Sequence, residues 1–400
     1  MNKKRVAVVL SAVNVQRLLP GIQSFVETGR DYWMVDIYRP WEDLERLLRR
    51  WSPTGLITEW ISPITEKLLA LELPTVVAPC DLALGPGRVA CVDVDDAAIG
   101  CRAADYFARL GVPHLAYLGN RTNYSEQRGR AFAARGAELG FEVQSHLHAH
   151  RRPRQYIEHW PASSADLIEW IRRLPRPCGL FVAHDPLART VAEASRDAGV
   201  TIPRDLAILG VNDDPLVCNM TNPKLSSIGI PWTRIGFEVG ARMEALLATP
   251  GRTDWPPIVL SPSEPVTRHS SDRSSTDNPR LQRVLEHIRE HACEGLRVED
   301  VARRCHLPRR TLERLFREEL GCSPRDEILR RRIERAQRLL SETDLSMPLV
   351  AERSGFSNAA VFSLNFRRLQ SETPSSYRRR FRSEPRAGEW VASRAPHTAS

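Results

Sequence analysis

Along the first 260 residues, short apolar runs alternate with longer stretches whose apolar positions recur every three or four residues. The runs are RVAVVL (5–10), WMVDIY (33–38), GLIT (55–58), PTVVA (74–78), HLAYLG (114–119), CGLFVA (178–183) and LAILGV (206–211). Between several of them lie amphipathic stretches such as EDLERLLRRW (42–51), AAIGCRAADYFARLG (97–111) and DPLARTVAEASRDAG (185–199). Such alternation predicts parallel sheets covered by helices, an α/β domain over 1–262. SPSEPVTRHSSDRSSTDNP (261–279) is rich in Ser, Pro and Asp and predicts a linker over 263–279. From 280 to 383 the period is helical throughout, so the second domain is expected to be all-α. The last stretch, 384–400, carries no pattern and is expected to be a disordered tail.

The helical part repeats itself. VARRCHLPRRTLERLFREELGCSP (301–324) and VAERSGFSNAAVFSLNFRRLQSETP (350–374) share a Val-Ala start, a turn (Leu307, Phe356), an aromatic (Phe316, Phe366) and a closing Ser-Pro or Thr-Pro. Leu312, Phe316 and Leu320 in the first, and Phe362, Phe366 and Leu369 in the second, are spaced to form one buried stripe each. Each unit therefore predicts a short helix, a tight turn and a longer helix, at about 298–319 and 347–370. ILRRRIERAQRLL (328–340) predicts a helix joining them. This is helix-turn-helix geometry, whose second helix fits the major groove of DNA, and two joined units could reach successive turns of one duplex.

Charge changes the picture in one place. Residues 1–279 hold 32 basic and 32 acidic residues, whereas 280–383 hold 23 Arg, no Lys and 15 acidic residues. The chain's excess of +8 therefore belongs to the helical domain and points to a polyanion partner there. The eight cysteines form no C-x-x-C pair and no zinc spacing, so no metal is expected. No apolar run is long enough to cross a bilayer, and MNKKRVAVVL is too short an apolar start for a signal peptide, so the chain is expected to be cytoplasmic.

On both repeats, the Arg-x-x-x-Ala-x-x-Leu-Leu spacing of RIERAQRLL and the ending TPSSYRR, residues 280–383 resemble an AraC/XylS-type DNA-binding domain. One position departs from that pattern: Ser371 stands where Gly closes the long helix, as Gly321 does in the first unit. By face, Arg309, Arg310 and Arg314 in the first unit and Asn358, Ala359 and Asn365 in the second are the candidate base readers. Arg367, Arg368 and Arg378 are better placed for phosphates.

VDVDDAAIGCRAADYFARLGVPHLAYLG (92–119), SEQRGRAF (125–132), LFVAHDPLARTVAEASRDAGVTIPRDLAILGVNDDP (180–215) and LSSIGIPWTRIGFEVGARMEALL (225–247) resemble the core of LacI-type repressors and periplasmic sugar-binding proteins. The resemblance implies a two-lobed domain of parallel sheets that binds a monosaccharide. Together the two resemblances are those of the xylose operon regulator family. They imply a regulator, more an activator than a repressor, acting as a homodimer on a direct-repeat operator and working with RNA polymerase, with no cofactor.

In open parallel sheets ligands lie beyond the carboxyl ends of strands. Arg128, Asp185 and Asn212 fall there and offer the fork, the carboxylate and the amide that match sugar hydroxyls. Asn14 is a further candidate, with Glu59 or Trp60 behind it. Asn212 stands where relatives carry Asp, with Asp213 next to it as a substitute or a loop cap, and Ala131 replaces a Gly of the family segment. Two other readings compete: an enzyme with a DNA-binding tail, for which the adjacent His184 and Asp185 are the nearest candidates, and a first domain that only dimerises.

Overall fold

The computed structural model describes residues 4–29, 33–40, 42–80, 89–148, 164–272 and 278–382. The expected tail at 384–400 lies outside the described residues. The chain forms two compact units, and the first draws on Met1–Asp95 and Pro231–Ser261.

In that unit strands β1 (Lys4–Val9), β2 (Trp33–Tyr38), β3 (Gly55–Thr58), β4 (Thr75–Val77) and β5 (Val89–Val94) alternate with helices α1 (Ala12–Thr28), α2 (Leu44–Trp51) and α3 (Ile64–Leu69). They build a six-stranded sheet ordered β11-β5-β4-β3-β1-β2, every described pair parallel, with β11 (Ile258–Leu260) arriving last in the chain. Buried on both faces, its central strands read as unbroken apolar runs, Val6 to Val9 and Leu56 to Ile57.

The second unit holds Asp96–Ile230 and Pro262–Arg382. Its sheet runs β12-β10-β9-β8-β6-β7, the same order as the first with an antiparallel edge. The strands are β6 (His114–Gly119), β7 (Val143–Leu147), β8 (Cys178–Val182), β9 (Leu206–Asn212), β10 (Ser226–Gly229) and β12 (Pro265–Val266). The helices that belong with this sheet are α4 (Asp96–Leu110), α5 (Asn123–Glu138), α6 (Ala165–Arg173), α7 (Asp185–Asp197) and α8 (Pro215–Met220). The long helix α9 (Trp232–Ala248) returns to the first unit.

The expected linker at 263–279 is, over its first half, part of this fold. Residues 265 and 266 form β12, and Ser263, Ser270, Ser271 and Asp272 are buried. The serines that suggested a flexible stretch satisfy backbone groups at the sheet edge: Ser270 Oγ donates to the Ile208 carbonyl at 2.7 Å and accepts from Ser226 N–H at 2.8 Å. Tyr106 OH and Ser271 Oγ are 2.6 Å apart. The remainder, 273–277, lies outside the described residues.

The helical domain follows with α10 (Pro279–His291), a 3-10 turn (Ala292–Glu294), α11 (Val298–Arg304), α12 (Arg309–Leu320), α13 (Pro324–Glu342), α14 (Met347–Arg353), α15 (Ala359–Gln370) and α16 (Pro374–Arg382). Two small cores are strung on α13. Its start places Ile328 among Leu281, Val284, Leu312 and Phe316, and its second half places Ile333, Ala336 and Leu340 among Phe356, Phe362, Phe366 and Tyr377. Two positions differ from the expected stripes. Leu369 is exposed, its core being filled by Phe356, Phe362, Phe366 and Tyr377, and Leu320 is half-buried at the margin of the first core.

Candidate functional site

A doubly wound sheet opens a crevice where strand order reverses, beyond the carboxyl ends of the strands. In the first unit that point lies between β1 and β3, and polar residues stand there. Glu59, just past β3, accepts from Ser11 N–H and from Asn14 Nδ2, the latter at 2.7 Å. Burial pushes the Glu59 carboxyl above the ordinary range despite these donors. Asn14 is thus placed beside Glu59, while Trp60 is half-buried against Cys80 and Cys91.

In the second unit the reversal lies between β6 and β8. Arg128 projects from α5 and is almost wholly buried. Its Nε donates to Asp96 Oδ1 at 2.7 Å, its Nη1 donates to the Ala183 carbonyl at 2.6 Å, and its guanidinium lies 4.7 Å over the Tyr124 ring. Burial works most strongly against its charge, but Asp96, Tyr124 and Tyr117 together outweigh burial and hold the guanidinium charged. Asp185, the first residue of α7, is fully buried. It accepts from Ser227 Oγ at 2.6 Å, from Asp214 N–H at 2.9 Å and from Cys218 Sγ at 3.4 Å. Burial, with Asp213 nearby, pushes its carboxyl up to about 7. Its oxygens face the β9 and β10 ends, so the structure gives it the work of tying down the loop that follows β9. Asn212 closes β9 half-buried, with φ at +115°, and Asp213 follows at +51°. Two consecutive non-glycine residues in this region mark a strained turn of the kind found at ligand sites.

Three residues at these strand ends were not singled out as pocket candidates. Asn120, fully buried after β6, lies 3.5 Å by its amide nitrogen from His184 Nε2, and His184 Nδ1 caps α7 by accepting from Leu187 N–H at 3.2 Å. Tyr124 packs edge-on to His184 and under Arg128. The signal was available for Asn120 and His184, each the polar residue that follows an apolar run. Asp213, weighed as pocket acid or loop cap, is buried and paired with Arg268 at 2.6 Å and with Arg338. His184 and Asp185 turn to different partners, and the enzyme reading gains no shared contact between them.

The long helices of the two repeats carry the candidate nucleic-acid surface. On α12 Arg309, Arg310 and Arg314 are exposed. Arg309 is bound by Glu299 at 2.5 Å and Glu313 at 2.9 Å, so it clamps α11 to α12, whereas Arg314 stands 4.0 Å from Glu318. On α15 Asn358 Oδ1 caps the helix by accepting from Val361 N–H at 2.9 Å, and Asn365 Nδ2 donates to the Val361 carbonyl at 2.8 Å. Ala359 packs partly into the core. Arg367 and Arg368 are exposed, while Arg378 donates to the Leu345 carbonyl at 2.6 Å and ties α16 to the loop before α14. Sequence reasoning passed over Val361 and Leu364, exposed at 41% and 72% on the outer face of α15. Their positions off the Phe362/Phe366 stripe could have shown it.

All eight cysteines are free thiols, and among the described residues no group of His, Cys, Asp and Glu could hold a metal ion. Among the described residues no helix is long and apolar enough to cross a membrane.

Comparison with known proteins gives the same two parts. Residues 104–271 match the periplasmic binding protein-like domain, and residues 281–380 match a helix-turn-helix domain. The xylose operon regulatory protein of Escherichia coli (strain K12) is 23% identical over 372 residues, spanning 91% of this chain and 93% of its own length. That of Haemophilus influenzae is 22% identical, spanning 94% of this chain and 98% of its own. The solved structure of a xylose-binding transcription activator shares the fold across 94% of this chain and 98% of its own, with 21% identity and a TM-score of 0.59.

Proposed function

We propose that this chain, a DNA-binding transcription regulator in which a periplasmic-binding-protein-like domain precedes an AraC-type pair of helix-turn-helix units, activates genes of pentose use in answer to a bound monosaccharide. The observation that carries the reading is the polar cluster of Asn120, Arg128, His184 and Asn212 at the strand ends of the second sheet, in a chain that continues into two helix-turn-helix units. Sugars bind where several fixed hydrogen-bonding groups converge on a rigid sheet end. The names of the full-length relatives make D-xylose the first sugar to try.

The chain acts in this reading as a cytoplasmic homodimer without enzymatic activity. Each chain lays α12 and α15 into successive major grooves of a direct-repeat operator and presents itself to RNA polymerase. Arg310 and Arg314 read bases in the first half-site, with Arg309 holding their helix. Ala359, Asn358 and Asn365 face the second, with Arg367 and Arg368 on phosphates. In the first domain Arg128, Asp185, Asn212 and Asn14 serve sugar binding, Arg128 and Asp185 by fixing the shape of the strand ends.

The test is titration with D-xylose and a panel of pentoses and hexoses, following tryptophan fluorescence and thermal unfolding together. Asn212→Gly, which removes the amide but suits the positive φ of this position, should weaken binding at least about tenfold without lowering the sugar-free melting point, since a lost sugar hydrogen bond costs on the order of 1.4 kcal/mol. Arg128→Ala removes one partner of a buried ion pair and should lower stability as well. If no sugar moves either signal, the first domain does not sense this class of ligand and only its dimerising role stands.

A further inference from the structure

The connecting helix α13 does more than join two repeats. Three of its side chains reach the sheet-bearing part of the second unit. Arg331 donates to the Thr267 carbonyl at 3.1 Å and to Asp272 at 3.0 Å, Arg338 donates to Asp213, and Ser341 Oγ lies 3.3 Å from Ser263 Oγ. Steps of seven and three residues put these on one face of the helix. Two of the anchors are fixed. Asp272 and Ser263 belong to the segment that serines pin to the sheet edge. The third is different in kind. Asp213 follows Asn212 in the strained turn at the carboxyl end of β9, and its backbone N–H donates to Ser227 Oγ at 3.0 Å, the same hydroxyl that donates to Asp185.

We propose that the Asp213–Arg338 ion pair is the positioning contact that couples occupancy of the sugar site to the attitude of the DNA-binding helices. The inference rests on the sugar-sensing reading above. A hydroxyl bonded to Asn212 turns the 212–214 loop, and the next side chain along is the carboxylate that holds Arg338. The carboxylate is shared between Arg268 and Arg338, one oxygen each. It can therefore release α13 and keep Arg268, which avoids stranding a buried charge. Arg331 stays bound to Asp272 and Glu327 and acts as the pivot. Because both helix-turn-helix cores are built on α13, a small tilt of this helix moves both reading helices together.

The experiment compares wild type, Arg338→Gln and Arg338→Lys on three readouts: folding by thermal melting, D-xylose affinity by fluorescence, and affinity for a duplex selected by the wild-type protein from a random pool, with and without D-xylose. Wild type should change its DNA affinity at least about fivefold on adding sugar, a coupling of ordinary size. Arg338→Gln should bind sugar within about threefold of wild type but show less than about a twofold sugar effect on DNA. Arg338→Lys, which keeps the charge, should restore part of the effect, and it carries the test if the Gln variant folds poorly. A full sugar effect in Arg338→Gln overturns the coupling and leaves sensing intact. Loss of sugar affinity itself in Arg338→Gln also overturns it, since Arg338 would then serve the site. A wild-type protein whose sugar signals are silent overturns the sensing reading and the coupling with it.

Discussion

At the scale of single residues, backbone conformation and burial set the sharpest expectations. Ser371 closes α15 with φ at +59°, in the left-handed region that Gly321 occupies at +66° in the first repeat. A side chain there costs on the order of 1 kcal/mol. Ser371→Gly is therefore expected to raise stability by about 1 kcal/mol, and a chemical denaturation curve with no shift of midpoint would show that the serine is accommodated without strain. Asp185 makes a second case. Its carboxyl holds a proton up to about 7 in the folded protein, whereas a carboxyl in the unfolded chain loses it near pH 4. Between those values the native state binds more protons, so stability falls as pH rises from about 4 toward 7, by up to about 1.4 kcal/mol per pH unit. Asp185→Asn cannot titrate. Its melting point should fall less than that of wild type between pH 5 and pH 7.5, and parallel curves would mean that Asp185 is ionised throughout.

At the scale of elements, the sequence spoke unevenly. The seven apolar runs are all strands; the central ones are buried on both faces and have no polar positions to disguise them, while the edge strand β2 is largely apolar although its middle residues are exposed. The repeat was legible for a similar reason: Phe316 and Phe366 each close a small core, and few other residues could. The 263–272 segment was not legible, since serine hydroxyls that satisfy a sheet edge look the same in sequence as serines that face water. The pairing of Asp213 with Arg338 was equally hidden, as 125 positions separate the two residues. For α15 the structure shifts attention from amides to apolar groups. Asn365 spends its amide on its own helix, and Leu364 stands out into solvent. An exposed Leu on such a helix suits the methyl group of thymine. Leu364→Ser should lower DNA affinity by a few-fold and relax preference at an A·T pair of the second half-site. Arg367→Ala should instead weaken all sequences alike and reduce the salt slope by about one. Selection from a random duplex pool at two salt concentrations separates the two behaviours; equal loss at every base position for Leu364→Ser would remove it from the reading set.

At the scale of the whole molecule, the part of the chain that carries the candidate sugar residues Arg128, Asp185 and Asn212 folds in one compact unit with the DNA-binding helices. The two reading helices are held by separate cores on one continuous α-helix of 19 residues, about 28 Å long at 1.5 Å per residue. A rod of that length has no hinge residue to absorb a change of distance. Half-sites on a duplex advance by about 34 Å for each turn of roughly 10 base pairs. Adding five base pairs between half-sites should drop affinity to that of one repeat alone, and adding ten should not recover it; a series of duplexes measured by fluorescence anisotropy reads this directly, and steady affinity across the series would show the two repeats to be independently tethered. The same rigidity bears on how a target site can change over generations. Base substitutions inside a half-site are graded losses, each repaired by another contact, but a single inserted or deleted base pair between half-sites is a break in measure. Sites recognised by this chain should therefore vary freely in letter and hardly at all in length.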